Sequence, residues 1–528
     1  MAASKDTMAV TADPVSVSDT RRFDDNYHYV QRGGPSNELP SDESSEDPEF
    51  ERKKALTALT VDEEKKLLHR IDWHLMPLCA LLYTIKNLDA NSVSNARIMN
   101  RGTPQNILTQ LDITSDQYGL INALYMIPYI LAEVPSNLLF KKMTPSRWQS
   151  RIMLTWGIVT TCHTAAKDLG GLYTARFFLG LAEAGMFPGI ILHLTYWYRP
   201  DEMSVRLLYL YGVGQFSSIF SSLLAYAFDH VSGTGGLSGW QWLFLIEGIV
   251  TIVLSVGIWF LLPDFPATAR WLSEKEKAFV QARLPPNAPR ASEENFNWKQ
   301  VISSLKDKRL WLFTLNWALF TTGTSGVQFY QPTVIADLGF TDVATAQLLN
   351  LPMSIAAIIL IALTGVYADK GRLPRPVLPL AVTVVVIACY AVLIVYPNNG
   401  GVYATTLIAN AFAKAWFPLM WPWRAQTTTR ATGSAFSIGF VNSYGQIGDA
   451  IGPQIFEDKY APRYQVSFGV CSGIVAWCGL NMLYTWWITR HTERDTRIIK
   501  RVRVAAGKRG QTILEDVVDH DLNASSRA

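Results

Sequence analysis

Charge is scarce in this chain. Asp, Glu, Lys and Arg make up 17% of its 528 residues, against about a quarter in soluble domains, which excludes an ordinary water-facing surface over most of its length. The net charge is only +3 and its carriers are scattered, so the clustered basic face of a nucleic-acid binder is missing. Cysteine is sparse too. Cys79, Cys162, Cys389, Cys471 and Cys478 lie in apolar runs without paired spacing or companion histidines, which argues against a disulfide framework or zinc site and leaves them as packing residues. The polar N-terminal stretch lacks the basic-then-apolar order of a secretory leader, so the first membrane helix is expected to act as the insertion signal. No P-loop, nucleophile elbow or metal-ligand cluster occurs. An enzyme is therefore not expected, and neither is a metal or cofactor.

What the chain has instead is long apolar runs. Hydrophobic residues make up 49% of it, and crossing a hydrocarbon core of roughly 30 Å takes about 20 helical residues. About twelve such stretches can be drawn, in two groups of six. The first group covers 72–90, 118–140, 150–166, 172–196, 205–228 and 241–262. The second covers 310–330, 344–368, 377–396, 402–421, 432–456 and 465–488. The chain is thus read as an all-α membrane protein with twelve transmembrane helices. Trp240, Trp242, Trp311, Trp317, Trp421 and Trp423 lie near the ends of these runs, where they suit aromatic belts at the lipid boundary.

The organisation expected is a disordered polar tail over 1–65, a six-helix half over 66–262, a central loop over 263–309, a second half over 310–488 and a basic tail over 489–528. Thr60-x-x-Glu63 and Ser273-x-x-Glu276 have the form of capping boxes that open helices. Lys141, Lys142, Arg147, Arg151, the central loop, Lys370 to Arg375 and the C-terminal tail gather the cations, whereas the connections 229–239, 331–342 and 397–401 hold no Lys or Arg. By the positive-inside rule both termini and the central loop are cytoplasmic.

Ionisable groups inside the runs mark the chemistry, because each costs at least roughly 3 kcal/mol at the bilayer centre. Lys86 and Asp89 share one face of the first run, Arg176 and Glu183 one face of the fourth, and Lys414 lies alone in the tenth. At about 1.5 Å of rise per residue these five fall at compatible depths, so three cations and two carboxylates can face one cavity. The cationic excess favours an anionic ligand. The competing reading pairs Lys86 with Asp89 and Arg176 with Glu183 as mutual neutralisers, and only Lys414 resists it. Polar contacts are expected from Gln328, Tyr330 and Gln331 in the seventh run and from Asn442, Tyr444 and Gln446 in the eleventh, with interhelical hydrogen bonds as the alternative. Glu133 and Glu247 lie near run ends and read as groups reaching headgroups or loops. His163 reads as a packed helix histidine, and Asp449 is open between the two roles. Gly180, Gly185, Gly189, Gly445, Gly448 and Gly452 permit close helix approach.

Several segments resemble one known group. Asp72-Trp-His-Leu-Met-Pro77, followed by Leu88-Asp89 and Asn95-Ala-Arg97, looks like a first-helix signature. Arg176-Phe-Phe-Leu-Gly180-Leu-Ala-Glu183-Ala-Gly185-Met-Phe-Pro188-Gly189 looks like a fourth helix, and Gly239-Trp240-Gln-Trp-Leu-Phe-Leu-Ile-Glu247-Gly248 like a sixth. Leu262-Pro263-Asp264-Phe-Pro266 with Ala269-Arg-Trp271-Leu272 looks like the passage into a central loop. Together they resemble the fungal anion:cation symporters of the major facilitator superfamily, often called the allantoate permease family. Gly365-Val-Tyr-Ala-Asp369-Lys370-Gly371-Arg372 resembles the superfamily's cytoplasmic loop motif, which makes Asp369 and Arg372 gating candidates.

The resemblance implies the major facilitator fold, two six-helix bundles around a midplane cavity, and proton-coupled uptake of a small organic anion such as a carboxylate, vitamin or amino-acid derivative. Lys86, Arg176, Lys414, Gln328, Tyr330, Asn442 and Gln446 are then the substrate candidates, and Asp89 and Glu183 the proton carriers. The partners are the solute, protons and the lipid bilayer. A monomer in the plasma membrane is expected. Ala90 stands where the family usually has a basic residue, Lys86 is unusual, and Lys414 is not a family hallmark, so no named substrate carries over. The fifth run lacks the Gly-x-x-x-Gly-Pro of drug antiporters. A metabolite exporter and a nutrient-sensing receptor are the alternative readings.

Overall fold

The computed structural model describes residues 29–32, 48–140, 143–199, 202–284, 298–338, 347–369, 373–395, 398–427, 431–461 and 463–513. Among them, twelve helical passes follow one another. The first half holds Val61–Ala96, Ser115–Phe140, Pro145–Cys162, a fourth pass in two pieces (Leu169–Glu183 and Met186–Thr195), a fifth in two pieces (Met203–Gly214 and Phe216–His230) and Gly239–Leu261. The second half holds Lys308–Asp337, Leu351–Asp369, Val377–Val395, Asn399–Thr427, an eleventh pass of Ala431–Gly445 continued by Ile447–Ile451, and Gln465–Lys508.

Six of these, the fourth, fifth, sixth, eighth, ninth and twelfth, are apolar enough along their length to cross a membrane on composition alone. Each of the other six also carries buried polar or ionisable side chains that lower its mean hydropathy, such as Asp89, Glu133, Gln149, Asn316, Asn410 and Asn442. A helix that turns polar groups inward loses mean hydropathy without losing its lipid-facing stripe.

Local sequence explains the breaks. The fourth pass divides at Gly185, whose φ of +88° lies in the left-handed region that a side chain disfavours, and a β-carbon there would overlap the Ser136 hydroxyl. Gly448 and Gly452 bring the eleventh pass against the seventh so closely that a β-carbon at either would strike Thr321, Thr322 or Ser325. Both expected capping boxes form. Thr60 N donates to Glu63 Oε2 at 2.8 Å and Glu63 N to Thr60 Oγ1 at 3.3 Å, and Ser273 and Glu276 exchange the same bonds at 2.9 and 3.3 Å. Arg70 of the first pass also donates to Glu276, tying the helix Glu274–Arg283 of the central loop to the first half. Burial pushes the Glu276 carboxyl up, but the Ser273 N–H and Arg70 outweigh it and hold the group below its ordinary value. Asp264 accepts from Ser146 N at 2.8 Å, so the Leu-Pro-Asp-Phe-Pro segment caps the third pass.

The chain divides into two units, Lys66–Thr496, which contains the body of the membrane passes, and Met1–Lys65 with Arg497–Ala528. In the second of these, Tyr29–Gln31 pairs antiparallel with Gln511–Ile513, Arg32 bridges Glu64, and Pro48–Thr57 is helical. The expectation of a structureless N-terminal tail therefore fails for these segments, because backbone pairing with the far end of the chain supplies what local composition does not.

Three further expectations need correction. Trp240, Trp317, Trp421 and Trp423 are buried rather than displayed at a lipid boundary, and of the six tryptophans named above only Trp311 is more than half exposed. They fill interhelical space, as in the edge contacts of Trp317 with Trp416 and Trp421 at 5.2 Å. Cys162 is exposed, whereas the other four cysteines are buried. Glu133 and Glu247 do not snorkel. They are 0% and 2% exposed and bonded between helices, as described next.

Candidate functional site

A cavity of about 280 Å³ opens between the two halves. From the first half, Lys86, Asp89, Asn122, Tyr125, Arg176, Glu183 and Ser218 line it, and from the second Thr321, Ser325, Gln328, Lys414, Gln446 and Asp449. The fold thus brings together all five ionisable residues picked from depth and helix face, with Gln328 and Gln446. Tyr330 and Asn442 stand off its wall. Tyr330 is 1% exposed and lies under the Arg97 guanidinium at 4.3 Å. Asn442 donates to Glu133 Oε1 at 2.8 Å. Gln331 bonds Asn350 at 2.9 Å and accepts from Asn410, which is the interhelical alternative. The Asp369 side chain and Arg372 lie outside the described residues.

The pairing differs from the mutual neutralisation weighed above. Lys86 meets Glu183 across helices, at a long 3.9 Å, and not Asp89. One Asp89 oxygen accepts from Trp156 Nε1 and from Thr160 Oγ1, the latter at 3.3 Å. Arg176 stacks on the Phe244 ring at 5.2 Å, and its Nε and Nη2 have no hydrogen-bond partner. Lys414 donates to Ser218 Oγ at 3.0 Å and makes no ion pair among the described residues. Asp449 adds a third carboxylate that the sequence reading had left open. Formal charge on the wall is therefore balanced, three against three, and the cationic excess counted from sequence is gone. What persists is asymmetry of pairing, since Lys414 is an ammonium in a mainly apolar helix with one neutral partner.

Contacts between the halves close on both sides of the cavity. Toward the first loop, Arg97 covers Tyr330 and Arg101 bridges Asp337 at 2.5 Å. Toward the central loop, Glu133 accepts from Asn442 and Ser443, and Trp421 Nε1 donates to the Tyr211 hydroxyl at 2.9 Å. The Glu133 clasp was not legible in the sequence, because its partners lie more than three hundred residues away in the chain.

A family model described as Major Facilitator Superfamily matches residues 95–453. The chain belongs to this superfamily. The major facilitator fold thus accounts for the two six-helix halves and the cavity between them. The chain is 30% identical over 455 residues to the MFS transporter prlL of a fungal species, covering 84% of this chain and 91% of that one. It is 29% identical over 497 residues to the MFS-type transporter cnsO of Penicillium expansum, covering 92% of each. A solved bacterial homologue of the human lysosomal transporter Spinster, inward-facing and unoccupied, has a TM-score of 0.56 at 15% identity, covering 82% of this chain and 97% of that one. This major facilitator is an integral multi-pass membrane transporter and not an enzyme.

Proposed function

We propose that the protein is a proton-coupled importer of a small organic anion, of the allantoate permease type, in the plasma membrane with both termini cytoplasmic. The observation that carries this reading is Lys414, a half-buried ammonium on the cavity wall whose one hydrogen-bond partner among the described residues, Ser218, belongs to the opposite half. Desolvating a cation without a counter-charge is costly, and a carboxylate entering the cavity removes that cost. Arg176, with two unpartnered nitrogens, provides a second anchor, and Gln328 and Gln446 orient the ligand by neutral hydrogen bonds.

Lys86 and Glu183 form the switchable pair. Protonation of Glu183 frees Lys86 for the anion, and release of the anion restores the pair, which couples solute and proton on one wall. Asp89 is the alternative proton carrier. Rocking of the halves about the ligand exposes it to each side in turn, with Asp369 and Arg372 as gating residues. The protein works as a monomer, because one chain supplies the whole cavity.

The test is a panel of organic acids scored by thermal stabilisation of purified protein, since a ligand that prefers the folded state raises its apparent stability. Carboxylates should stabilise the wild type and lose most of that effect in Lys414→Ala. Stabilisation by cations or neutral solutes alone would overturn the reading.

A further inference from the structure

Behind the cavity wall, a second carboxyl stands against Asp89. Glu247, on the sixth pass, is 2% exposed, and Asp89 is 4% exposed. Each has one oxygen fully engaged. Asp89 Oδ2 accepts from Trp156 and Thr160, and Glu247 Oε1 accepts from Ser92 Oγ at 2.5 Å. The remaining oxygens, Asp89 Oδ1 and Glu247 Oε2, are buried and have no donor. Ser92 stands one turn beyond Asp89 in the first pass, so its bond to Glu247 Oε1 brings the two carboxyls together, and each acts on the other. Two carboxylates have only acceptors to offer, so this contact is repulsive unless a proton lies between them.

We infer that Asp89 and Glu247 form a carboxyl pair that holds one proton in common, a proton-binding site set behind the cavity. The hydrogen-bond accounting supports it. Buried polar atoms are rarely left unmatched, and one proton satisfies both orphaned oxygens at once, whereas any other assignment leaves at least one of them bare.

The charge accounting agrees. Arg176 of the fourth pass is the cation felt by both carboxyls, and one shared proton leaves a single negative charge against its single positive one. Glu183 of the same pass meets Asp89 as a like charge, with Lys86 the larger and opposite influence on Glu183. The second pass faces the group with Tyr125, the Tyr118 hydroxyl donating instead to Val93 O at 2.7 Å, and the third with Trp156 and Thr160, while His163 packs on Phe244 with its Nδ1 bonded to Val159 O at 2.9 Å. The fifth pass presents only hydroxyls there, Ser221 lying 3.0 Å from Ser92. No described neighbour donates to the two orphaned oxygens.

The geometry also gives the proton a route. Asp89 lines the cavity and Glu247 does not, so Asp89 is the exchanging member and Glu247 the positioning one that retains the proton while the cavity is open. Its use in coupling rests on the proposed symport reading. Its presence in the folded protein does not.

Infrared spectroscopy of the full chain in lipid vesicles near neutral pH tests the pair without any solute, through the carbonyl stretch of a protonated carboxylic acid and its shift in heavy water. Glu247→Gln and Asp89→Asn should each remove one carboxylic-acid equivalent, because the new amide donates to the surviving carboxylate and takes over the proton's place. The double variant should also lose one equivalent and not two. Loss in only one of the single variants, loss of two equivalents in the double variant, or no change in any of them overturns the shared proton. The wild-type band and its isotope shift need no variant, so absence of a carboxylic-acid band there overturns it even where a variant fails to fold. A solute-driven pH change inside the vesicles tests the coupling separately, and its absence would sink symport while leaving the pair intact.

Discussion

The two walls of the cavity hold their charges in different ways. On the first-half wall, Lys86, Asp89, Arg176 and Glu183 are embedded in partners from their own half, namely Trp156, Thr160, Phe244 and one another. The second-half wall carries the hydroxyls and amides of Thr321, Ser325, Gln328 and Gln446 beside Lys414 and Asp449, and among the described residues Lys414 is held only by Ser218 from across the cavity. A charge satisfied within one half stays satisfied as the halves move. A charge satisfied from across is released by that motion and becomes available to a ligand. Stability and proton chemistry are therefore assigned to the first wall, and the ligand contact released by the motion to Lys414 on the second, with Arg176 and Lys86 completing the anion site.

The sharpest way to break this comparison is Glu183→Gln, which strips Lys86 of its partner. Removing one member of a buried pair costs several kcal/mol, and about 3 kcal/mol is expected here, since Lys86 still opens onto the cavity. Thermal unfolding in detergent or lipid should show it, and an unchanged midpoint would argue that the first wall is not a structural network. Lys414→Ala is the counterpart. Its loss of a charge-assisted contact, worth about 1.5–3 kcal/mol, should reduce uptake about 10- to 100-fold with little change in thermal stability. Equal effects of the two substitutions on both readouts would erase the distinction between the walls.

Gly448→Ala probes the packing beneath the second wall. The added methyl group meets Thr321 and Thr322 of the seventh pass, and overpacking of that kind costs about 1–3 kcal/mol, again read as a lowered midpoint. The smallest effect is expected at the rim. Arg101 and Asp337 bridge the halves with side chains 48% and 34% exposed, and exposed pairs contribute about 0–1 kcal/mol. Arg101→Ala should leave the midpoint nearly unmoved, and a large drop would show that the rim rather than the interior holds the halves together.

The apolar runs alone made the twelve passes legible, and the fourth- and sixth-helix motifs pointed to the superfamily. Depth along each helix also placed Lys86, Asp89 and Arg176 in the outer third and Glu183 and Lys414 nearer the middle, close enough to share one cavity, and all five do line one. Depth says nothing of azimuth between different helices. That is why Tyr330, picked for the site, stacks with Arg97 instead, and why Glu133 and Glu247, read as end groups, are bonded to Asn442, Ser443 and Ser92 in the interior.

By itself the sequence determined which segments enter lipid and which of them carry an expensive charge, because both follow from the cost of polar groups in hydrocarbon, residue by residue. The tertiary structure decided who meets whom. Lys86 faces Glu183 rather than Asp89, Asp89 faces Glu247, and Lys414 faces a serine of the other half, because partner choice depends on how helices distant in sequence rotate and pack against one another, and interactions of a few ångströms are fixed only there.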